Sequence, residues 1–343
     1  MVPTNLNILV INVARIGDTL LTTPVLRAIK ETLPGCRITC LAHPKRVDVL
    51  QGLPWIDELG VVTPRRAVWR GRFAHRQRNY DYALVYGHDA PLIRYAARVA
   101  QRVVAFTQPE AALNRLLWKC IAIPPVREKL SAVEEHLLLA TALGVRTSDH
   151  RLAYAPLASE LDAARAWLTQ HARPGAAPLI GFQVSSFPTK AYRDWPLEYF
   201  AELGKLILNV WPEAEIVILG GDESRGKALG LRRQLGAHVL VAAGKLNLRM
   251  SAAVMTQLAL YVGVDTGPTH LAGALGVPMV ALYHCRHRSR RFAPALHPKL
   301  RVVEHPRPDN RCDETVPMAE IGVTQVWPAV RELLERAEPV AEA

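Results

Sequence analysis

The sequence predicts an α/β protein with two doubly wound halves, each a parallel sheet covered by helices. Short runs rich in Val, Ile and Leu alternate with segments of helical length, the pattern of parallel strands joined by helical crossovers. A chain of 343 residues is long enough for two domains of ordinary size. The first strand of each half is followed by a polar turn, so we expect two Rossmann-like domains.

The first half opens with the apolar run 7–13, which we interpret as a strand buried on both faces and not as a signal peptide. Gly17 allows a turn into a helix that ends at Pro34 and Gly35. The remaining elements predicted in this half are strands at 37–41, 58–62, 82–86 and 102–105, a short helix at 47–50, and helices at 133–143 and 157–171.

The segment 172–178 is rich in Pro, Gly and Ala and is interpreted as a linker. Residues 1–172 are therefore expected to form the N-terminal domain and residues 173–343 the C-terminal domain. The second half is predicted to contain strands at 179–184, 215–219, 239–242, 260–264 and 279–283, and helices at 197–210, 224–235 and 324–337.

Composition and charge narrow the range of functions. The formal net charge of +11 predicts an anionic partner, either nucleic acid, an acidic membrane face or a phosphorylated substrate. No apolar run reaches transmembrane length. The five cysteines are scattered and include no C-x-x-C pair, so neither a disulfide framework nor a zinc site is indicated and a reducing cytoplasm is the expected compartment.

The segment 64–78 combines positive charge with aromatic side chains. Trp69 and Phe73 are four residues apart, on one face of a helix. The segment is either a solvated surface helix or a basic amphipathic surface that meets anionic lipid or a phosphorylated acceptor. The arginines of this segment are Arg65, Arg66, Arg70, Arg72, Arg76 and Arg78.

The turn D-T-G-P-T-H, residues 265–270, is the clearest candidate for a phosphate site. Pro268 suits the first turn of a helix, and Thr266 or Gly267 is placed to cap it. Backbone N–H groups at a helix start attract anions, and Gly267 has no Cβ to keep a phosphate away. His270 is either a ligand-binding residue or a capping and packing residue.

Three further polar clusters follow predicted strands, where ligands bind in open α/β sheets. Asp18, after the first strand, is either a helix N-cap or a general base at the ligand site. Asp222 and Glu223 follow the glycines at 220 and 221, and are suited either to helix capping or to contact with a nucleoside.

The third cluster follows the first strand of the second half. Ser185 and Ser186 precede the cations Lys190 and Arg193, an order that suits phosphate contact but also an ordinary polar loop. The sequence contains no G-x-G-x-x-G after the first strand, no P-loop and no G-x-S-x-G elbow. A dinucleotide dehydrogenase, a P-loop NTPase and an α/β-hydrolase are therefore disfavoured.

Together these segments resemble the ADP-heptose:lipopolysaccharide heptosyltransferases, glycosyltransferase family 9. The resemblance rests on I-L-V-I-N-V-A-R-I-G-D-T-L-L-T-T-P, S-F-P-T-K, W-P-L-E-Y-F-A-E-L, V-I-L-G-G-D-E and V-G-V-D-T-G-P-T-H-L-A-G-A-L-G-V-P, with V-T-Q-V-W-P-A-V-R-E-L-L near the end. It implies a GT-B architecture in which two Rossmann-like domains face each other across a cleft. The N-terminal domain would bind the acceptor and the C-terminal domain the nucleotide sugar.

The resemblance also implies roles for individual residues. Asp18 matches the general base, Lys190 the cation of the donor diphosphate, and Asp265 a contact to sugar hydroxyls. The expected donor-binding residues are Ser185, Ser186, Thr189, Arg193, Asp222, Glu223, Leu246, Asp265, Thr266, Gly267, Pro268 and His270. The expected acceptor-facing or membrane-facing residues are Arg15, Arg65, Arg66, Trp69, Arg70, Arg72 and Phe73.

Two segments depart from the family pattern. The family's T-K-R-W-P is here T-K-A-Y-R-D-W-P, three residues longer, so the phosphate cation is Lys190 if aligned from the left, which we prefer, or Arg193 if aligned from the right. After Tyr283 the usual G-P-T-D-P-like turn is replaced by H-C-R-H-R-S-R-R. This basic run either strengthens diphosphate binding or indicates a different donor.

The resemblance therefore implies an inverting glycosyltransferase that needs no metal or other cofactor and moves heptose from ADP-heptose to a phosphorylated lipopolysaccharide core. We expect it in the cytoplasm, peripherally at the inner membrane, without a nucleic-acid partner. The alternatives are a related glycosyltransferase with another nucleotide sugar or a protein acceptor, and a non-catalytic nucleotide-sugar-binding protein. A nucleic-acid binder is compatible with the arginines, but no recognition motif supports it.

Overall fold

The computed structural model describes residues 5–73, 78–124 and 130–336. The chain divides into two compact units, Met1–Ala155 and Pro156–Ala343. This division lies before the predicted boundary at 172, because the helix at 158–171 belongs to the second unit. The side chain of Arg249 holds that helix through two hydrogen bonds of 2.7 and 2.6 Å to the Glu160 carboxylate.

In the described part of the first unit, six parallel strands form one sheet in the order β3-β2-β1-β4-β5-β6. Its strands are β1 Asn7–Asn12, β2 Arg37–Ala42, β3 Glu58–Val61, β4 Tyr80–Val85, β5 Ala100–Phe106 and β6 Lys119–Ile121. Its helices are α1 Ile16–Leu20, α2 Thr23–Thr32, α3 Pro64–Phe73, α4 Ala90–Val99, α5 Ala111–Asn114 and α6 Ala132–Ala140, with 3₁₀ turns at Val47–Val49 and Thr141–Leu143.

The described residues of the second unit repeat this order, as β12-β11-β10-β7-β8-β9, and all the strands are parallel. The strands are β7 Leu179–Gln183, β8 Glu215–Leu219, β9 Val239–Val241, β10 Leu260–Val264, β11 Met279–Tyr283 and β12 Leu300–Glu304. The helices are α7 Ala158–His171, α8 Leu197–Val210, α9 Arg225–Leu235, α10 Leu248–Met255, α11 Gly267–Ala274, α12 Ser289–Phe292 and α13 Val323–Glu335. Its 3₁₀ turns are Pro188–Arg193, Asp222–Ser224, Gly236–His238, Asp309–Arg311 and Met318–Glu320.

Both sheets are buried on their two faces, which explains the uniformly apolar central strands. Strands β8, β10 and β11 are buried at every position. In the second unit, the buried Trp195 indole packs edge-on against Phe200 and donates a hydrogen bond of 2.7 Å to the Ile321 carbonyl oxygen. The segment before α8 is thereby fixed to the segment that leads into α13.

The predicted fold class of two parallel α/β halves is confirmed, and three details of the helices are corrected. The first predicted helix is broken into α1 and α2 between Leu20 and Thr23. Asp18 is not an N-cap, since Arg15 holds that position. Asp222 is not a cap either, because Gly221 precedes the 3₁₀ turn in that position. Within the described ranges, no helix is long and apolar enough to cross a membrane.

Candidate functional site

In each sheet the strand order reverses between its first and fourth strands, and the crevice at that point is where ligands bind in open α/β folds. In the second unit this point lies between β7 and β10, which are direct neighbours. The segment that begins at Ser185 follows β7, and the turn that begins at Asp265 follows β10. Two of the predicted clusters are therefore brought together at the carboxyl edge of one sheet.

The turn after β10 is rigidly held by buried hydroxyl groups. Thr266 is the N-cap of α11, and Pro268 lies in the first turn. The Thr269 hydroxyl contacts the Val264 carbonyl oxygen at 2.5 Å and the Tyr261 hydroxyl at 3.0 Å. Backbone N–H groups at a helix start can bind an anion; at the start of α11, Pro268 has no N–H, and those of Thr269 and His270 donate to the Thr266 carbonyl oxygen.

Asp265 is the centre of a buried charged cluster. Its side chain is only 6% exposed, and its Oδ2 lies 3.0 Å from Nη1 of Arg193, which is 15% exposed. The same nitrogen donates to the Asp265 carbonyl oxygen at 3.1 Å, and Nε2 of His270 lies 3.6 Å from Asp265 Oδ1. Two buried nitrogens of this cluster, Arg193 Nε and His270 Nδ1, have no hydrogen-bond partner. Because buried polar atoms are rarely left unpaired, they indicate a place for a ligand.

The serines after β7 stabilise the loop through hydrogen bonds. The Ser185 hydroxyl lies 2.6 Å from that of Ser224, and the Ser186 hydroxyl donates to Asp194 Oδ1 at 2.6 Å. Asp194 also accepts a hydrogen bond from the Ser186 N–H and forms an ion pair of 2.6 Å with Lys227. Ser224, Asp194 and Lys227 were not predicted, since a cap-like serine and surface charges carry no distinctive local signal.

Lys190 and Arg193 lie on either side of Tyr192. Lys190 Nζ is 5.4 Å from the Tyr192 ring centroid and Arg193 Cζ is 5.8 Å from it. Arg193 contacts the turn after β10, whereas Lys190 pairs with Glu314 at 3.3 Å. Thr189 is exposed beside Lys190. Of the two candidate cations, Arg193 is thus the one in direct contact with the predicted phosphate turn.

The loops after β8 and β9 also meet. Gly244 donates its N–H to the Gly220 carbonyl oxygen at 3.0 Å. Gly244 has a φ of +72°, a conformation that favours glycine, and a Cβ atom there would lie 2.5 Å from Asp222 Oδ1. The exposed Asp222 and Glu223 carboxylates therefore lie on the loop that meets the turn leading to the half-buried Leu246.

Much of the charge in the basic run after β11 is neutralised within the protein. Arg288 donates to Asp309 Oδ1 at 2.6 Å and to the His305 carbonyl oxygen at 2.8 Å, and Arg290 also pairs with Asp309. Burial lowers the pKa of His287 to about 4, so this imidazole is neutral at physiological pH. Two of the four arginines in the run, Arg288 and Arg290, are therefore paired with carboxylates of the protein itself.

A disulfide joins Cys285 to Cys312, with Cα atoms 5.9 Å apart. This corrects the expectation that the cysteines form no disulfide, which failed because the two residues are 27 positions apart and belong to no spacing motif. Of the described His, Cys and acidic groups, His284, Cys285 and Cys312 have ligand atoms within 4.8 Å of one another. In the disulfide form the two sulfurs are bonded to each other and supply no thiolate for a metal ion.

In the first unit, Asp18 lies on the short helix α1, directly after β1. Its side chain is half-buried, and its backbone carbonyl oxygen accepts a hydrogen bond of 3.2 Å from the Asn12 amide. The exposed Arg15 precedes α1. Asp18 is thus placed after the carboxyl end of β1, beside β4, which is the corresponding point of strand-order reversal in this sheet.

Helix α3 carries the described part of the basic aromatic segment. Arg65 and Arg66 are exposed, and the Trp69 side chain is 68% exposed. The predictions for the side chains of Arg70, Arg72 and Phe73, and for the segment 74–77, fall outside the described residues.

Comparison with known families decides the identification. The model of glycosyltransferase family 9 (heptosyltransferase) matches residues 97–320, which is well over half of the chain. The chain belongs to glycosyltransferase family 9. It is therefore a glycosyltransferase, and the resemblance inferred from its motifs is confirmed.

Relatives of this family 9 enzyme agree with the assignment. The chain is 25% identical over 321 residues to lipopolysaccharide heptosyltransferase 2 of Salmonella typhimurium, which covers 87% of this chain and 88% of the relative. Its fold is similar to a glycosyl transferase family 9 structure from Veillonella parvula, with a TM-score of 0.84, 22% identity and coverage of 96% and 98% of the two chains. It is also similar to E. coli ADP-heptose lps heptosyltransferase II, with a TM-score of 0.77, 20% identity and coverage of 97% and 100%.

Proposed function

We propose that this family 9 enzyme is an inverting glycosyltransferase that moves heptose from ADP-heptose to a phosphorylated lipopolysaccharide core, without a metal ion or other cofactor. The observation that carries the proposal is the buried Asp265–Arg193–His270 cluster at the start of α11. The names of the relatives, which are lipopolysaccharide heptosyltransferases, support heptose and the lipopolysaccharide acceptor.

In this proposal the second unit is the donor domain and the diphosphate binds at the start of α11. The helix N–H groups and Arg193 would hold the phosphate oxygens, and Lys190 is the second cation. The unpaired Arg193 Nε and His270 Nδ1 supply further hydrogen-bonding atoms at this point. Asp265 would bind sugar hydroxyls, since a carboxylate repels phosphate.

The nucleoside is proposed to extend toward the loops after β8 and β9. Asp222 and Glu223 are exposed on the first of these loops, and their carboxylates can accept hydrogen bonds from ribose hydroxyls or an adenine amino group. Leu246 on the second loop offers an apolar surface for the base. Contact between the two loops at Gly244 supports one continuous nucleoside site.

The proposed reaction is a single displacement. Asp18 takes the proton of the acceptor hydroxyl as that oxygen attacks the anomeric carbon. The bond from this carbon to the diphosphate oxygen breaks, and the electron pair leaves with ADP. Attack on the face opposite to the leaving group inverts the anomeric configuration. Arg193, Lys190 and the α11 N–H groups offset the charge that develops on the diphosphate, so the scheme requires no metal ion.

The acceptor is proposed to approach the first unit at the cytoplasmic face of the inner membrane. Arg15, Arg65 and Arg66 offer exposed positive charge, and Trp69 exposes an aromatic ring on the same helix as two of these cations. Such a combination suits an anionic interface, where cations attract the head groups and an indole ring enters the boundary region.

Charge reversal on α3 is expected to weaken membrane binding. We predict that R65E/R66E weakens binding to vesicles containing phosphatidylglycerol by about 30-fold or more, since each of the two lost surface cations costs about 1 kcal/mol near an anionic membrane and the new carboxylates are repelled by it. The control R115E/K119E reverses two exposed cations elsewhere on the unit and should bind as the wild type does. Equal binding by all three proteins would remove α3 from the membrane surface.

The proposed reaction is tested by transfer with purified protein. We expect ADP release that requires both ADP-heptose and a heptose-deficient lipopolysaccharide core. Release of a nucleoside diphosphate only from another nucleotide sugar would contradict ADP-heptose as the donor. It would favour a related glycosyltransferase with a different donor, the alternative that the basic run after β11 had suggested.

A further inference from the structure

One of the cations proposed to bind the donor diphosphate forms an ion pair with a carboxylate from a loop that is distant in sequence. Glu314 Oε1 lies 3.3 Å from Lys190 Nζ, with side chains that are 53% and 31% exposed. A hydrogen bond from Lys190 is the largest factor that lowers the pKa of Glu314, and Tyr192 and the charge of Arg286 add to it. Glu314 is therefore an anion held among several groups that would suit a phosphate.

The Tyr192 side chain, which lies beside this ion pair, joins the two segments that depart from the family pattern. Tyr192 belongs to the three-residue insertion, and its hydroxyl lies 2.8 Å from Nε2 of His287 in the basic run. The Tyr192 ring also packs edge-on against His284, with centroids 5.1 Å apart. The insertion and the basic run thus form one structure, and Arg193 connects it to Asp265.

The Cys285–Cys312 disulfide restrains the loop that carries Glu314. Cys312 is two residues before Glu314, and Cys285 directly precedes Arg286 at the end of β11. Within the loop, the Asp313 carboxylate accepts hydrogen bonds from the N–H and the hydroxyl of Thr315. Such a covalent restraint keeps the Glu314 carboxylate at a high effective concentration near Lys190.

We propose that Glu314 is a tethered anion that competes with the donor diphosphate for Lys190, and that the Cys285–Cys312 disulfide strengthens this competition. The proposal rests on the proposed function, in which Lys190 is a cation of the donor site. The disulfide form then binds the donor more weakly, and reduction of the disulfide by a thiol reductant raises the affinity.

The size of the effect is bounded by the exposure of the pair. An ion pair between partly exposed side chains is weak because water and salt screen it. The donor therefore displaces Glu314, at a cost in affinity of about fivefold at most. A larger effect would require a buried pair, which Lys190 and Glu314 do not form.

The decisive experiment is calorimetric titration of ADP into the oxidised wild type and the variants E314Q, D313N, K190A and K190A/E314Q. We expect E314Q to bind ADP about threefold to fivefold more tightly, and K190A/E314Q to bind as K190A does. D313N removes the same charge from the neighbouring position and should match the wild type. The competition would be overturned if D313N and E314Q raised ADP affinity equally, or if E314Q raised it in the absence of Lys190. Either result would indicate a long-range electrostatic effect of removing a negative charge.

The tether is tested by adding dithiothreitol, a dithiol reductant. It transfers two electrons and two protons to the disulfide, which gives two thiols while the reductant becomes a cyclic disulfide. Reduction should tighten ADP binding in the wild type but not in E314Q or C312S. An unchanged Kd on reduction would overturn the tether. If the wild type binds ADP and E314Q has the same Kd, only this inference is contradicted. If none of the proteins binds ADP, the proposed donor is contradicted as well.

Discussion

Replacing Asp18 with asparagine is expected to reduce kcat by about 100-fold to 10,000-fold, the usual contribution of a positioned general base. The amide has a similar shape but cannot take the proton from the acceptor hydroxyl. Affinity for ADP should stay within about twofold, because the residues proposed to hold ADP all belong to the second unit. Steady-state release of ADP and a separate ADP titration measure the two quantities.

A neighbouring carboxylate provides the matched control for D18N. Asp89 follows β4, the strand beside β1, and precedes α4 without a side-chain capping bond. D89N therefore removes the same charge from the same edge of the sheet, and we expect it to keep most of its turnover. Full turnover by D18N would exclude Asp18 as the base. An equal loss of turnover in D89N would indicate that the negative electrostatic potential at this edge of the sheet matters, and not a specific base.

Replacing Arg193 with alanine is expected to weaken ADP binding by about 10-fold to 100-fold, the range for hydrogen bonds to charged groups. The variant loses a cation at the phosphate turn and leaves Asp265 buried without its ion-pair partner. K190A should lose much less affinity, because Lys190 is partly exposed and already paired with Glu314. Calorimetry with ADP, and with UDP and GDP as comparators, tests the ranking.

Two further variants separate charge from geometry at Arg193. R193K keeps the charge but loses the guanidinium, whose Nη1 donates both to Oδ2 and to the backbone carbonyl oxygen of Asp265, so its affinity should be intermediate. R301A removes a cation that pairs with Glu332 at the opposite edge of the sheet and should bind ADP normally. A larger loss in K190A than in R193A would restore Lys190 as the main phosphate cation, as the family motif had suggested.

Local patterns predicted most of the fold. The buried strands β8, β10 and β11 coincide with predicted apolar runs, because a strand covered by helices on both faces must be apolar along its length. The edge strands β6 and β12 were missed. They are partly exposed and carry charged residues, so their sequences lack both a continuous apolar run and a clear alternation.

The parts of the site formed by neighbouring residues could be predicted from the sequence, whereas contacts between residues far apart in the sequence could not. The turn 265–270 is recognisable because cap, proline and glycine follow one another within a single turn. The Asp194–Lys227 and Lys190–Glu314 pairs join residues 33 and 124 positions apart. No short-range periodicity reports such contacts, and each partner alone is indistinguishable from a solvated surface charge.

The single-displacement reaction is tested by the anomeric configuration of the product formed from ADP-heptose and a heptose-deficient core in the presence of EDTA. A single displacement with Asp18 as base predicts transfer that persists in the chelator and a product whose glycosidic bond is inverted relative to the donor. Retention of configuration, loss of transfer in EDTA that is restored by a divalent cation, or hydrolysis without transfer would contradict the account.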